Sequence, residues 1–266
     1  MPQILGAADL TADLHVLGVT NGDGLFVHSL LSKIGRVTGG PRGLIQALLD
    51  AVGDDGLIAM PGFSRDAYDP IVLDGLEVSA EEHARIRDQV PGFDPALSNA
   101  AQNGATPETF RRWPGVIRSE HPTSSVLMRG RDAADWAGPH DPMGWPTGPE
   151  TPWGLLAKRP QMKILLIGVR WNRCSALHAA ETAAKHRRVQ MRHFKLDGQW
   201  VDAPDVADDL STLFPPVGEA WEATAAVQQG RIGGAKALLT DYGRLVAFAT
   251  AWLDDRNQSN GVPEFR

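Results

Sequence analysis

Three short runs of consecutive apolar residues constrain this chain more than any other feature: Leu25-Phe26-Val27-His28, Leu57-Ile58-Ala59-Met60 and Ile164-Leu165-Leu166-Ile167, the last closed by Gly168. A strand with one wet face alternates between apolar and polar residues. A strand that is apolar at every position is covered on both faces. Between the first two runs the period changes to that of a helix. Pro41 stands where a first-turn proline is tolerated, Leu44, Ile45, Leu48, Leu49 and Val52 share one face, and Gly53 is placed to end it. Strand, glycine-containing turn, helix and strand within about 35 residues make a βαβ-like unit, so the class is α/β.

The rest of the chain adds elements of other kinds. Ser79 to Gln89 reads as a solvated helix with Ser79 as N-cap and Glu82 completing a capping box. Residues 138–153, dense in Gly, Pro and Trp, read as a long irregular loop. After Gly233-Gly234, the leucines of Ala235 to Asp254 predict one long amphipathic helix. No repeat and no linker divides residues 1–266, which are read as a single domain.

Charge and cysteine usage exclude whole classes. With 26 Lys+Arg against 32 Asp+Glu the net charge is −6, the wrong sign for a nucleic-acid binder. One cysteine, Cys174, excludes a disulfide framework. No apolar run approaches the roughly 18 residues of a membrane span. Met1 to Leu14 lacks the basic and apolar regions of a signal peptide, so a cytoplasmic location is expected.

The familiar phosphate and nucleophile motifs, G-x-x-x-x-G-K-[ST] and G-x-S-x-G, are absent. The stretch His28-Ser29-Leu30-Leu31-Ser32-Lys33-Ile34-Gly35-Arg36-Val37-Thr38-Gly39-Gly40 leaves a strand end and opens a helix. Lys33, Arg36 and the N–H groups of that helix start suit a phosphate; the alternative is a plain connection needing glycine for its geometry. In Ser175-Ala176-Leu177-His178-Ala179-Ala180-Glu181, Ser175 is placed to cap a helix on which His178 and Glu181 lie three apart on one face. That is a general-base arrangement, a first-turn structural histidine, or part of a metal site lacking a third ligand nearby. Cys174, four residues before His178, is either a nucleophile paired with it or a small buried hydrophobe. His121, in Arg118-Ser119-Glu120-His121-Pro122, is either a site residue or a loop anchor. Residues 65–94 carry eight acids against three bases.

These segments together resemble the aminoglycoside N3-acetyltransferase family, which has the antibiotic N-acetyltransferase fold and is unrelated to GNAT enzymes. The resemblance runs through Leu17-Gly18-Val19, His28 to Gly40, Gly56 to Pro61, Phe93-Asp94-Pro95, Arg118 to Pro122, Lys163 to Val169 with Leu177 to Glu181, and Gly230 to Ala235. It departs at Leu30, where the family pattern has a second serine, and at Cys174-Ser175, where it has Asn-Thr. The resemblance implies a central, mostly parallel sheet covered by helices on both faces. It implies a direct acetyl transfer from acetyl-CoA to the 3-amino group of a 2-deoxystreptamine aminoglycoside, with His178 as general base and Glu181 beside it. His28, Ser29, Leu30, Leu31, Lys33, Gly35, Arg36, Val37, Gly39, Gly40, Ser119 and His121 are then the expected contacts to acetyl-CoA. A polycationic acceptor is expected to meet an acidic rim at Asp66 and Asp69, with Glu181, and no metal is expected. The alternatives are acetylation of another small amine, a CoA-binding module without turnover, and a metal-dependent amidohydrolase using His178, Glu181 and His121.

Overall fold

The computed structural model describes residues 4–207 and 211–265. Its strands are β1 (Ile4–Leu5), β2 (Gly24–Ser29), β3 (Arg36–Val37), β4 (Leu57–Pro61), β5 (Ile117–Arg118), β6 (Val126–Gly130), β7 (Met162–Ile167), β8 (Val189–Leu196), β9 (Gln199–Val206), β10 (Gln228–Ile232) and β11 (Ala235–Asp241). Seven of them form one sheet in the order β10-β11-β7-β2-β4-β6-β5.

The three apolar runs of the sequence are its centre. β2 runs parallel to β4 and to β7, with Phe26 level with Ala59 on one side and Ile164 on the other. Within this sheet, parallel pairing is confined to these three strands. β6 turns back antiparallel on β4, β5 on β6, β11 on β7 and β10 on β11. Antiparallel neighbours need only a short turn, and β10 and β11 are joined through Gly233-Gly234.

Each central strand sends alternate residues to two separate cores. Leu25, Val27, Ile58, Met60, Leu165 and Ile167 pack with Leu10, Leu14, Leu44 and Leu48 from helices Ala7–Leu17 and Pro41–Val52. Phe26, Ala59, Ile164 and Leu166 pack on the other face with Trp153, Leu177, Phe214, Tyr242 and Leu245. Those come from helices Pro152–Lys158, Leu177–Ala183, Phe214–Glu222 and Tyr242–Ser259. The α/β class and the helical cover on both faces are as expected from the apolar runs.

One expectation fails. Residues 235–254 are not a single helix. Ala235–Asp241 is a central strand, and the helix begins only at Tyr242, capped by the Asp241 side chain, which accepts from Arg244 N at 2.7 Å. Leu238 and Leu239 go to opposite cores, which a strand allows and a helical stripe does not. Gly233-Gly234 is the turn of a hairpin, not the approach to a helix. Helix Ala80–Gln89 forms as predicted, with Glu82 N donating to Ser79 Oγ, while the Glu82 carboxylate takes two hydrogen bonds from Arg85. No helix or strand interrupts residues 138–151.

Outside the main sheet, β8 and β9 form a long hairpin closed at Asp197-Gly198. The hairpin receives the acidic segment: Lys195 N donates to Ala67 O, and Lys195 Nζ to the carbonyls of Asp88 and Val90. No helix among the described residues is long and apolar enough to cross a membrane.

Candidate active site

At the carboxyl ends of β2, β4 and β7 the connections diverge and leave a cavity of about 690 Å³. This is where an open α/β sheet places its ligands, and the volume is that of a small-molecule site. Val27, His28 and Ser29 line it from β2 and Leu30 from just beyond, with Pro61 at the end of β4 and Phe63 and Tyr68 after it. Thr123 and Ser124 come from the β5–β6 turn, Pro146 and Thr147 from the irregular loop, and Gln190, Asp205 and Val206 from the hairpin.

His178 stands on this wall in the first turn of helix Leu177–Ala183. Its Nδ1 lies 2.9 Å from Glu181 Oε2, the contact expected of residues three apart on a helix. In the neutral ring, with Nδ1–H donated to the carboxylate, Nε2 carries the lone pair. The ring is held edge-on against Phe214, 4.8 Å between centroids, and Phe63, itself stacked on Trp153, lies on a further side. Thr147 Oγ1 donates to His178 O at 3.0 Å and meets Thr182 Oγ1 at 2.7 Å, tying the irregular loop to the helix. Ser175 does not cap this helix with its side chain. The N-cap is Ala176, and the His178 N–H is satisfied by the Ser175 carbonyl, leaving the Ser175 side chain on the cavity wall.

Cys174 precedes the helix and is fully buried, not ranged on one face with His178. Burial pushes its thiol up to about 12, so no thiolate forms near neutral pH. Among the described residues no three His, Cys, Asp or Glu side chains cluster as a metal site would require.

The residues expected to meet the cofactor divide into three sets. His28, Ser29 and Leu30 line the cavity. Leu31, Lys33, Gly35, Arg36, Val37, Gly39 and Gly40 lead away from it: a short helix, Leu31–Ile34, then β3 paired with β1, then the turn into helix Pro41–Val52. Lys33 and Arg36 are exposed there. Gly168, at φ 69°, ends β7 directly beneath this path, and a Cβ there would fall 2.8 Å from Lys33 Cβ. Ser119 and His121 form the third set and stand behind the wall. Ser119 Oγ is 2.9 Å from His140 Nδ1 and accepts from Val126 N, and His121 Nδ1 accepts from Ser124 N at 3.0 Å. His121 therefore anchors the turn that presents Thr123 and Ser124 to the cavity.

The acidic rim also needs correction. Asp69 is 3% exposed and caps helix Pro70–Asp74, with Oδ1 accepting from Ile71 N and Val72 N. Its Oδ2 is 2.7 Å from His83 Nε2 and 3.6 Å from Arg87 Nη1. Asp66, half-buried, lies outside the cavity wall and within electrostatic reach of Arg118. Among the described residues, the carboxylate that lines the cavity is Asp205 on β9, which spacing along the chain did not bring near His178. Burial pushes its carboxyl up, while the charges of Arg192 and His178 pull the other way. Arg192 Nη1 is 3.3 Å away. Val201, Ala203 and Asp205 share one face of β9 by the period of a strand, and Asp197-Gly198 is a strong hairpin turn signal. Those two signals put Asp205 on one face of a hairpin strand, but only the packing of the hairpin brings it to the cavity.

Comparison with known proteins fixes the family. The sequence model of aminoglycoside 3-N-acetyltransferases matches residues 26–254. The chain belongs to that family. It is 34% identical to aminoglycoside N(3)-acetyltransferase IX of Micromonospora chalcea over 91% of each chain. Among solved structures it superposes on AAC-IIIb, determined as a binary complex with CoASH, with a TM-score of 0.83 at 29% identity, covering 96% of this chain and 98% of that one. It superposes on AAC-VIa bound to sisomicin with a TM-score of 0.82 at 30% identity, covering 96% and 99%.

Proposed function

We propose that this chain, as one antibiotic N-acetyltransferase-like domain over residues 1–266, transfers the acetyl group of acetyl-CoA to the 3-amino group of a 2-deoxystreptamine aminoglycoside, in the cytoplasm. The observation that carries this reading is the His178–Glu181 contact at 2.9 Å on the wall of the cavity at the carboxyl ends of the parallel strands. Family membership supports the acyl donor and the class of acceptor, and the geometry supports the division of labour.

An amine attacks a thioester only as the neutral base. His178 Nε2 takes the proton that the acceptor nitrogen loses as it bonds the acetyl carbon, and Glu181 holds the imidazole in the required tautomer and orientation. A CoA thiolate, from a thiol of pKa about 8.5, leaves with little acid help. Acetyl-CoA is a substrate whose acyl end meets His28, Ser29 and Leu30, with Lys33 and Arg36 exposed farther along the same path to meet its phosphates. Asp205 faces a second ammonium of the acceptor. A half-buried carboxylate, compensated by Arg192 and the Val206 N–H, gains a further charge-assisted hydrogen bond when a cation arrives.

The test is thiol release from acetyl-CoA with a panel of aminoglycosides and simple amines, followed by NMR assignment of the acetylated nitrogen. Release confined to aminoglycosides, with acetylation at N3, is expected. Release with simple amines alone, acetylation at another nitrogen, or binding of acetyl-CoA without release with any acceptor would overturn the reading.

A further inference from the structure

The His178–Glu181 pair handles the proton of the reaction but not the second charge the reaction creates. When the acceptor nitrogen bonds the thioester carbon, the carbonyl π pair moves onto oxygen. That oxyanion, formed inside a cavity, needs a preorganised donor.

His28 has that capacity unspent. It lies near the end of β2, lines the same cavity as His178, and is 7% exposed. Its Nε2 is buried and makes no hydrogen bond. An unpaired buried polar nitrogen carries the full cost of its desolvation, and on a residue that lines a cavity a ligand atom can offset that cost. The ring is fixed before any ligand arrives: its backbone is paired at the level of Leu166 on β7, and the ring lies 5.3 Å from that of Phe26. Burial, and next the charge of His178, hold its pKa down to about 3, so the imidazole is neutral and carries a single N–H. A neutral imidazole donates a hydrogen bond without competing with His178 for the proton of the amine.

We propose that His28 donates a hydrogen bond to the thioester carbonyl oxygen of the acyl donor and stabilises the oxyanion that forms there. This rests on the acetyl-transfer reading above. The amine nitrogen bonds the carbonyl carbon while the π pair moves to the oxygen held by His28, and His178 takes the ammonium proton. The oxygen pair then re-forms the carbonyl, the C–S bond breaks with its electrons going to sulfur, and the proton on His178 returns to the thiolate. The products are the amide and CoASH. His28 ends the cycle unchanged.

Sulfur in place of the carbonyl oxygen accepts hydrogen bonds poorly, so the dithioester of CoA tests the contact itself. Wild-type enzyme and His28→Phe are compared with acetyl-CoA and its dithioester analogue under the same acceptor. Loss of one oxyanion donor costs about 10²–10³-fold in kcat. The expected result is a fall of that size with acetyl-CoA, a KM for acetyl-CoA within a few-fold of wild type, and a collapse of the oxygen-over-sulfur preference in the variant. Equal losses with both thioesters, or a raised KM with kcat retained, would overturn the assignment in favour of packing or cofactor binding. Should His28→Phe not fold, the wild-type protein decides by imidazole ¹⁵N–¹H NMR. The His28 N–H should move downfield with the carba analogue, in which a methylene replaces the thioester sulfur, and not with CoASH; no difference between the two would contradict the proposal. A wild-type protein that transfers no acetyl group marks failure of the underlying reading, whereas transfer with an unaltered oxygen-over-sulfur preference marks failure of this one.

Discussion

His178 meets Glu181 at 2.9 Å and His83 meets Asp69 at 2.7 Å, yet the two pairs stand in different surroundings. Asp69 is fully engaged: two backbone N–H groups, the His83 ring and Arg87 surround it. Arg87 in turn lies 4.3 Å over the Trp200 ring and 3.0 Å from His193 Nε2, and His193 stacks on Trp200. This network fastens the acidic segment to the β8–β9 hairpin. His178, with Glu181 beside it, instead lies on the wall of a cavity, braced by Phe214 and by Thr147. A histidine–carboxylate contact therefore says little by itself. What the remaining faces of the two groups touch decides whether the pair is cement or machinery.

The comparison breaks most visibly under mutation. His178→Ala is expected to cut turnover by about 10²–10⁴-fold at neutral pH, with a Tm close to wild type. Glu181→Gln, which keeps the imidazole and weakens its orientation, should cost about 10–100-fold. Steady-state kinetics beside thermal melts separates both from a folding defect. Next in size is Asp205→Asn, expected to raise KM for a polycationic acceptor about tenfold or more while leaving KM for acetyl-CoA in place, because it removes one charge-assisted hydrogen bond. Equal shifts for both substrates would mean that Asp205 shapes the cavity without holding the acceptor.

Asp69→Ala belongs to the other side of the comparison. It removes a helix N-cap and is expected to lower stability by about 1–2 kcal/mol in a denaturant titration, with turnover per folded molecule unchanged. Burial works against the Asp69 carboxylate, but His83 and the N–H groups of Val72 and Ile71 hold its pKa below the usual range. Its stabilisation is thus complete above the unfolded-state pKa of about 4 and disappears as pH falls through the folded value.

The buried histidines act at higher pH. Burial lowers His28 to about 3 and His140 to about 4, and keeps His121 well below its ordinary value. The unfolded chain takes up protons below about pH 6.5 that the folded chain refuses, so stability falls as pH drops from there towards the folded values. In His28→Phe the slope of Tm against pH between 6 and 4 should be shallower than in wild type; an unchanged slope would show that His28 does not contribute to it.

The legible parts of the molecule were those written in local spacing. Continuous apolar runs located β2, β4 and the apolar part of β7, Pro41 to Gly53 located a helix, and the spacing of His178 and Glu181 located a histidine on the cavity wall with its carboxylate partner. What spacing could not show was which distant segments meet. Asp69 looked available because its neighbours are acidic, but His83 and Arg87 fold back onto it from the next helix. Asp205 looked ordinary because its importance comes from a hairpin that swings it to within the electrostatic reach of His178. Ala235–Asp241 was misread because a strand buried on both faces and a helix draw on the same leucines, and only the hairpin turn before it distinguishes them.

The claim at the centre of this account is that His178 removes a proton from the acceptor amine. The ratio of wild-type to His178→Ala turnover, followed from pH 6.5 to 9.5 with saturating acetyl-CoA, tests it most directly. General-base catalysis predicts a large deficit at neutral pH that shrinks as pH rises, because more of the acceptor is already neutral and needs less help. A deficit that stays constant across the range, or near wild-type turnover at pH 7 in a normally folded variant, would contradict it.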